Sequence, residues 1–175
     1  MMLGSRKFEG VLLVDQKKDT TGIKDFLENN VEWDKNMKSR WTASFGKSYN
    51  YSGIEYKETE IPKILSDIIP SLNALTGMNI NNCLINLYHD GKSKMGWHSD
   101  NTDILVKGTG VVILSVGESR PIFFKKKSDG TFISFTLEDG HIFYMNSSVQ
   151  DDWLHSIPEN DSVNPRWSLT FREIA

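Results

Sequence analysis

The clearest structural signal in this sequence lies between Gly110 and Met145, which read GVVILSVGESRPIFFKKKSDGTFISFTLEDGHIFYM. Short apolar runs rich in β-branched and aromatic residues alternate here with turn residues, among them Asp129-Gly130 and Asp139-Gly140. An Asp-Gly pair between two apolar runs is typical of a tight turn between antiparallel strands. The segment therefore predicts several short strands joined by hairpins.

Similar runs lie on both sides of this segment, CLINLY at 83–88 and WSLTFREI at 167–174. Six or more short strands at this spacing indicate a sandwich, a jelly roll or a barrel. We therefore expect a mainly β, α+β chain, with helices first and a β-sandwich or jelly-roll core after them.

The residues before this core carry helical patterns. Apolar residues recur at helical spacing from Gly22 to about residue 30, which predicts a short helix. A second helix is predicted from Pro62 to about residue 76, with Gly77 as its stop. Because proline disrupts a helix interior, we expect a kink or a break at Pro70.

Length and composition suit one domain covering residues 1–175, since 38% hydrophobic and 25% charged residues exclude a largely disordered chain. The single cysteine, Cys83, excludes an internal disulfide and favours a reducing, intracellular setting, with the thiol as a small core residue. No apolar run approaches the roughly 18 residues of a membrane span, and residues 1–15 lack the long apolar core and small-residue cleavage site of a signal peptide, so we expect none. A net charge of −3 gives no global argument for nucleic-acid binding.

A candidate metal site begins at Gly96-Trp97-His98-Ser99-Asp100. In an extended segment His98 and Asp100 share one face, and His155 is a third candidate ligand far downstream. Two histidines and a carboxylate suit the facial triad of a non-haem iron(II) site, which leaves positions open. A His-x-Asp pair also occurs by chance, and we interpret His89 and His141 as ordinary polar residues.

The last strand alternates cleanly. One face carries four polar side chains, Arg166, Ser168, Thr170 and Arg172. This face is either solvated or forms a carboxylate-binding wall, because the planar guanidinium suits bidentate carboxylate recognition. In the second case Asn86 and Tyr88, which share one face of an earlier strand, could add hydrogen bonds.

The order of these motifs resembles the AlkB family of nucleic-acid dealkylating dioxygenases. The matching runs are CLINLYHDGKSKMGWHSD, GVVILSVGESRPIFF, LEDGHIFYMNSS, WLHSIP and PRWSLTFR, and RWTASFGKSYNYSG is similar to the family's substrate lid. The resemblance covers about residues 40–173. It implies a double-stranded β-helix, a form of jelly roll, that uses Fe(II), 2-oxoglutarate and O2.

The resemblance also implies roles for single residues. His98, Asp100 and His155 would bind the iron. The distal carboxylate of 2-oxoglutarate would be held by three residues, Asn86, Tyr88 and Arg166. Arg172 would lie near the iron-proximal carboxylate and Asp100, and Ser168 stands where several members carry asparagine.

Residues of about 31–60 would form the substrate-binding lid and about 80–175 the jelly-roll core. In the lid, Trp41, Tyr49 and Tyr51 match aromatic positions that flank a flipped base, although a tyrosine-rich hairpin can equally be packed on the sheet. Many members carry an acidic residue where this chain has Thr102, and Asp103 could substitute if the loop shifts by one. Lys38, Arg40 and Lys47 lie close in sequence to these aromatic residues and are candidates for phosphate contacts.

The function implied is oxidative dealkylation of N-alkylated bases, such as 1-methyladenine and 3-methylcytosine, in DNA or RNA. The partner would be alkylated nucleic acid, and we expect a monomer without membrane attachment. One alternative is an oxygenase of the same fold that acts on a protein, a lipid or a small molecule. Another is a non-enzymatic jelly-roll module whose His/Asp cluster holds zinc or nothing.

Overall fold

The structure is a computed structural model that describes residues 5–51 and 54–175, with side chains described for residues 8–49 and 55–175. Strands dominate over helices, as the sequence predicts. In chain order the elements are β1 (Ser5–Phe8), β2 (Val11–Val14), α1 (Thr21–Asn29), β3 (Trp41–Gly46), β4 (Tyr49–Tyr51), β5 (Ile54–Tyr56), α2 (Lys63–Ser66), α3 (Ile69–Thr76), β6 (Asn82–Tyr88), β7 (Met95–His98), β8 (Val111–Gly117), β9 (Arg120–Lys126), β10 (Phe132–Leu137), β11 (Ile142–Met145), α4 (Ser147–Asp152), β12 (Trp153–Ile157) and β13 (Arg166–Arg172).

Two antiparallel sheets form the core. The larger sheet has the order β1-β2-β11-β8-β13-β6-β3, and the smaller one has the order β10-β9-β12-β7. A two-stranded hairpin, β4-β5, stands apart from both. The strands that are neighbours in each sheet are mostly distant in the chain, as in a jelly roll, so the predicted fold class is confirmed.

The larger sheet is buried on both faces. One face meets the smaller sheet in an apolar cluster that includes Leu84, Ile113 and Phe124. The other face packs against the helices, where Leu27 and Leu72 lie in a second cluster. Consequently all residues of β6 and β13 are buried, which is unusual for strands that carry polar side chains.

Both predicted helical regions are present. The first is α1, and the second is divided into α2 and α3. The break falls just before Pro70, which sits in the first turn of α3, where its missing N–H costs little. Gly77 ends α3 with φ of 74°, a left-handed conformation that glycine adopts without a steric penalty.

The strands β1, β2 and β3 were not predicted. β3 is the edge of the larger sheet, beside β6, and its residues fall within the segment of about 31–60 for which the resemblance implies a lid. Cys83 is fully buried in β6, which confirms it as a core residue, and burial raises the pKa of its thiol well above the usual range. No helix in the described part of the chain is both long and apolar enough to cross a lipid bilayer.

Candidate metal centre and active site

His98 and His155 come from two neighbouring strands of the smaller sheet. They are paired across β7 and β12, and their ring centroids lie 4.2 Å apart. The next pair is Met95 with Ile157, so β7 carries one more residue than β12 between the two pairs. This bulge turns both Met95 and His98 toward the same pocket, although they are three residues apart.

Asp100 completes the group from the loop after β7. Its Oδ1 lies 3.3 Å from Nε2 of His98 and 3.5 Å from Nε2 of His155. One ligand atom from each of the three residues lies within 4.8 Å of the others. Among the residues that the structure describes, it is the one group of three or more side chains with this geometry.

The loop that carries Asp100 is held by hydrogen bonds from two sides. Ser99 Oγ donates to the carbonyl of Trp153 at 2.7 Å, and the Asp100 amide donates to Gln150 Oε1 at 2.7 Å. Gln150 is a buried residue of α4. Sequence reasoning missed it, because the only signal was a polar residue on a short helix.

The protonation states suit a metal ligand set. Burial would raise the pKa of Asp100, but hydrogen bonds with His155 and His98 and the charge of Arg172 hold it well below its usual range. Burial lowers the pKa of His155, which favours the neutral imidazole that binds metals. Nδ1 of His98 lies 2.8 Å from the carbonyl of Gly96; donation there leaves Nε2 as the coordinating atom.

A polar wall lies beside this group on β6 and β13. The side chains of the predicted wall that line the pocket are Asn86, Tyr88, Arg166, Ser168, Thr170 and Arg172. The two arginines are buried, at 1% and 4% exposure, so the alternative of a solvated strand face is wrong. The face is covered because the smaller sheet packs over it.

Arg166 is the buried cation best placed to bind an anion. Its Nε donates to Ser115 Oγ at 2.9 Å, while both terminal nitrogens are buried without a hydrogen-bond partner in the described residues. Burial lowers the pKa of Arg166 to about 10, and the nearby Tyr88 phenol partly offsets this. A buried guanidinium with two unsatisfied nitrogens is costly unless an anion pairs with it. The donor set therefore fits a carboxylate.

Arg172 has a different partner. Its NH2 group donates to Asp100 Oδ2 at 3.1 Å, and its guanidinium carbon lies 4.7 Å from the Tyr49 ring centroid. Arg172 therefore links the His98-Asp100-His155 group, called the metal group below, to Tyr49 of β4. Tyr49 is itself buried.

Of the predicted substrate residues, Trp41, Tyr49, Thr102 and Asp103 are not among the residues that line this pocket. Trp41 is partly buried and packs against the apolar cluster on the opposite face of the larger sheet. Its ring lies edge-on to that of His89, with 4.4 Å between the ring centroids. Thr102 is half-buried in a turn and accepts from the Leu105 amide, while Asp103 is exposed. Tyr51 is the end of β4, and its side chain lies outside the described residues.

The position of Arg40 corrects the interpretation made from the sequence. Arg40 was a candidate for phosphate contact, but it is buried, and its Nε donates to Asn86 Oδ1 at 3.0 Å. Lys38 and Lys47 remain exposed.

Arg120 is a further buried cation that the sequence did not single out. Its guanidinium donates to the carbonyls of Asp90, Ser93 and Pro158.

Comparison with known proteins agrees with this site. Residues 15–172 match the family model described as the 2OG-Fe(II) oxygenase superfamily. The chain is 32% identical over 138 residues to bovine (Bos taurus) DNA oxidative demethylase ALKBH2, covering 74% of this chain and 50% of that protein. It is 30% identical over 169 residues to bovine alpha-ketoglutarate-dependent dioxygenase alkB homolog 3, covering 90% of this chain and 57% of that protein.

A solved structure of OsALKBH1 shares the fold. It superposes with a TM-score of 0.71 at 16% identity, covering 97% of this chain and all of that one. The chain spans only about half the length of the curated relatives that it matches. The family model nevertheless extends over most of its residues, and the His-Asp-His group is present with suitable geometry. The chain belongs to the 2OG-Fe(II) oxygenase superfamily and, within it, to the AlkB family.

Proposed function

We propose that this chain is an Fe(II)- and 2-oxoglutarate-dependent dioxygenase that removes alkyl groups from N-alkylated bases of DNA or RNA. The observation that carries the proposal is one pocket shared by a His-Asp-His group and a buried arginine with two unsatisfied nitrogens. The first group suits iron(II), and the second suits a carboxylate.

His98, Asp100 and His155 would hold the iron, and Arg166, with Asn86 and Tyr88, would hold the far carboxylate of 2-oxoglutarate. When bound, iron and cosubstrate would use O2 to hydroxylate the N-alkyl carbon, which leaves as an aldehyde, while 2-oxoglutarate is oxidised to succinate and CO2. The side chains of this chain supply position, charge and exclusion of water. Apolar residues such as Ile113 and Ile122 line the same pocket and would help to exclude water from it.

Arg172 would keep Asp100 ionised and fixed. Its NH2 group donates to Oδ2, so Oδ1, which lies beside both histidines, would be the carboxylate oxygen that binds the iron. Ser168 and Thr170 lie between the two arginines on β13 and can donate hydrogen bonds to the bound diacid.

The nucleic-acid substrate is proposed from two sources. One is the similarity to a DNA oxidative demethylase. The other is the segment of about 31–60, which we propose as the substrate lid over the core of about 80–175. The β4-β5 hairpin lies in this segment, and Tyr56 contacts Thr42 of β3 through their hydroxyl groups. Tyr49 contacts Arg172 and so connects the hairpin to the metal group.

The test is a single reaction. The purified chain with Fe(II), 2-oxoglutarate and an oligonucleotide containing 1-methyladenine or 3-methylcytosine should form succinate and lose the methyl group. A His98→Ala variant should neither form succinate nor remove the methyl group. His89→Ala, which changes a histidine that packs on Trp41, should remain active.

The outcomes separate the alternatives. Succinate formation without base repair would overturn the nucleic-acid substrate and favour a protein, lipid or small molecule. Failure to consume 2-oxoglutarate with iron bound would overturn the oxygenase itself. A chain that binds zinc but, when loaded with iron(II), neither binds nor consumes 2-oxoglutarate would favour the binding module.

We also propose an intracellular monomer. The free, buried Cys83 thiol is consistent with a reducing compartment. Sedimentation of the purified chain at several concentrations would test the monomer; a stable dimer would contradict it.

A further inference from the structure

We propose that Arg40 is a positioning residue for cosubstrate binding. Arg40 holds the side-chain amide of Asn86 in the orientation that presents the NH2 group of Asn86 to the pocket. The inference rests on the proposed function, since it concerns how 2-oxoglutarate is bound. It starts from the buried hydrogen bond of 3.0 Å from Arg40 Nε to Asn86 Oδ1.

A guanidinium can only donate hydrogen bonds. The end of the Asn86 amide that meets Arg40 must therefore be the oxygen, which leaves the NH2 group as the end that can serve another ligand. Asn86 lines the pocket, whereas Arg40 lies behind it and does not. Among the described residues, the hydrogen bond from Arg40 to Oδ1 is the one that the structure shows for the Asn86 side chain.

This orientation matters because the expected ligand is a diacid. A carboxylate accepts hydrogen bonds, so an amide NH2 group attracts it and an amide oxygen repels it. Without Arg40 the amide can rotate and present its oxygen to the carboxylate. Arg40 therefore selects the orientation that favours an anion.

Arg40 is itself held in place. Its NH1 group contacts the carbonyl of Lys94 at 3.4 Å and Ser39 Oγ at 3.3 Å. Lys94 directly precedes β7, which carries His98, and Arg40 directly precedes β3. The same side chain thus connects the proposed lid segment, the strand of the metal ligand and the cosubstrate residue Asn86.

The experiment measures binding of 2-oxoglutarate by isothermal titration to protein loaded with Mn(II), which replaces iron and prevents turnover. The variants are Arg40→Met, Asn86→Ala and the double variant, with Lys38→Met as a matched control for loss of a nearby exposed cation. We expect Arg40→Met and Asn86→Ala each to weaken binding about tenfold. Mn(II) affinity should stay within about twofold of the wild type, because neither residue touches the metal group.

The double variant decides the mechanism. If Arg40 acts through Asn86, the double variant binds no more than about twofold more weakly than Asn86→Ala alone. Losses that multiply to about a hundredfold would overturn the proposal, as would unchanged affinity in Arg40→Met. If Arg40→Met does not fold, Arg40→Gln carries the same cycle. Failure of the wild type to bind 2-oxoglutarate would instead contradict the proposed function.

Discussion

His98 and His155 lie directly opposite each other in the antiparallel pair of β7 and β12, 57 residues apart in sequence but 4.2 Å apart between ring centroids. The pairing of two strands therefore brings together two of the three side chains that we propose as metal ligands, and the third, Asp100, comes from the loop after β7. Strand pairing defines the distance between the rings before any metal binds.

Removal of either histidine should abolish metal binding and preserve the fold. In His155→Ala we expect the increase in melting temperature caused by Mn(II) to disappear, because two remaining ligands bind far more weakly than three. Thermal unfolding with and without Mn(II) is the measurement. A metal-dependent shift as large as that of the wild type would exclude His155 as a ligand.

Gln150→Leu should weaken the metal site without touching a ligand. The change removes the acceptor of the Asp100 amide, so the loop that carries Asp100 loses one of its two anchors. Loss of a partner that orients a metal ligand costs about 10- to 100-fold in metal affinity, and we expect the lower end. Competition titration with Mn(II) and a chelator would measure it, with Asp151→Asn on the same helix as the control. Equal affinities for the two variants would mean that Gln150 has no positioning role.

Arg166→Met should separate stability from cosubstrate binding. The variant replaces a buried, partly unsatisfied cation with an apolar side chain of similar length, so the ligand-free protein should melt no lower than the wild type. It should bind 2-oxoglutarate at least about tenfold more weakly, because the paired carboxylate contact is lost. Calorimetry without ligand and titration with 2-oxoglutarate give the two quantities. Arg166→Lys keeps the charge without the planar guanidinium, so its affinity for 2-oxoglutarate should lie between those of the wild type and Arg166→Met. Wild-type affinity in Arg166→Met would refute the carboxylate role.

Arg120→Met should destabilise the whole chain. Arg120 joins β9 to the loop after β6 and to the end of β12, since it donates to the carbonyls of Asp90, Ser93 and Pro158. The substitution leaves these acceptors without their partner and should lower the free energy of unfolding by about 2–4 kcal/mol. Urea denaturation would measure the loss. Lys125→Met, an exposed change on the same strand, should alter stability by less than about 0.5 kcal/mol; a similar small effect for Arg120 would contradict its structural role.

The sequence was sufficient for the local features of the fold. Alternation in residues 166–172 predicted which side chains share a face, and the structure confirms that the arginines and hydroxyls of β13 line one pocket. The apolar runs and Asp-Gly turns predicted the antiparallel core, and Pro70 and Gly77 marked the break and the end of the second helical region. These features depend on contacts between residues that are close in the chain.

Sequence reasoning was weakest where a side chain's neighbours come from distant elements. From the sequence, Arg40 was a candidate for phosphate contact, but it is buried against Asn86. Trp41 was a candidate for base contact, but it packs on the face of the larger sheet that meets the helices. Gln150 and Arg120 gave no signal. Each outcome depends on which element covers the residue, and periodicity does not contain that information.

The order of residues alone thus determined most strands of the core, which side chains share a strand face, and the three side-chain types able to bind a metal. Only the tertiary structure decided that His155 faces His98, that β13 is covered on both sides and that Arg166 is buried with nitrogens to spare. The physical reason is that a residue's face is set by the backbone repeat over a few residues. Its burial, partners and charge state are set by whichever distant strand or helix packs against that face.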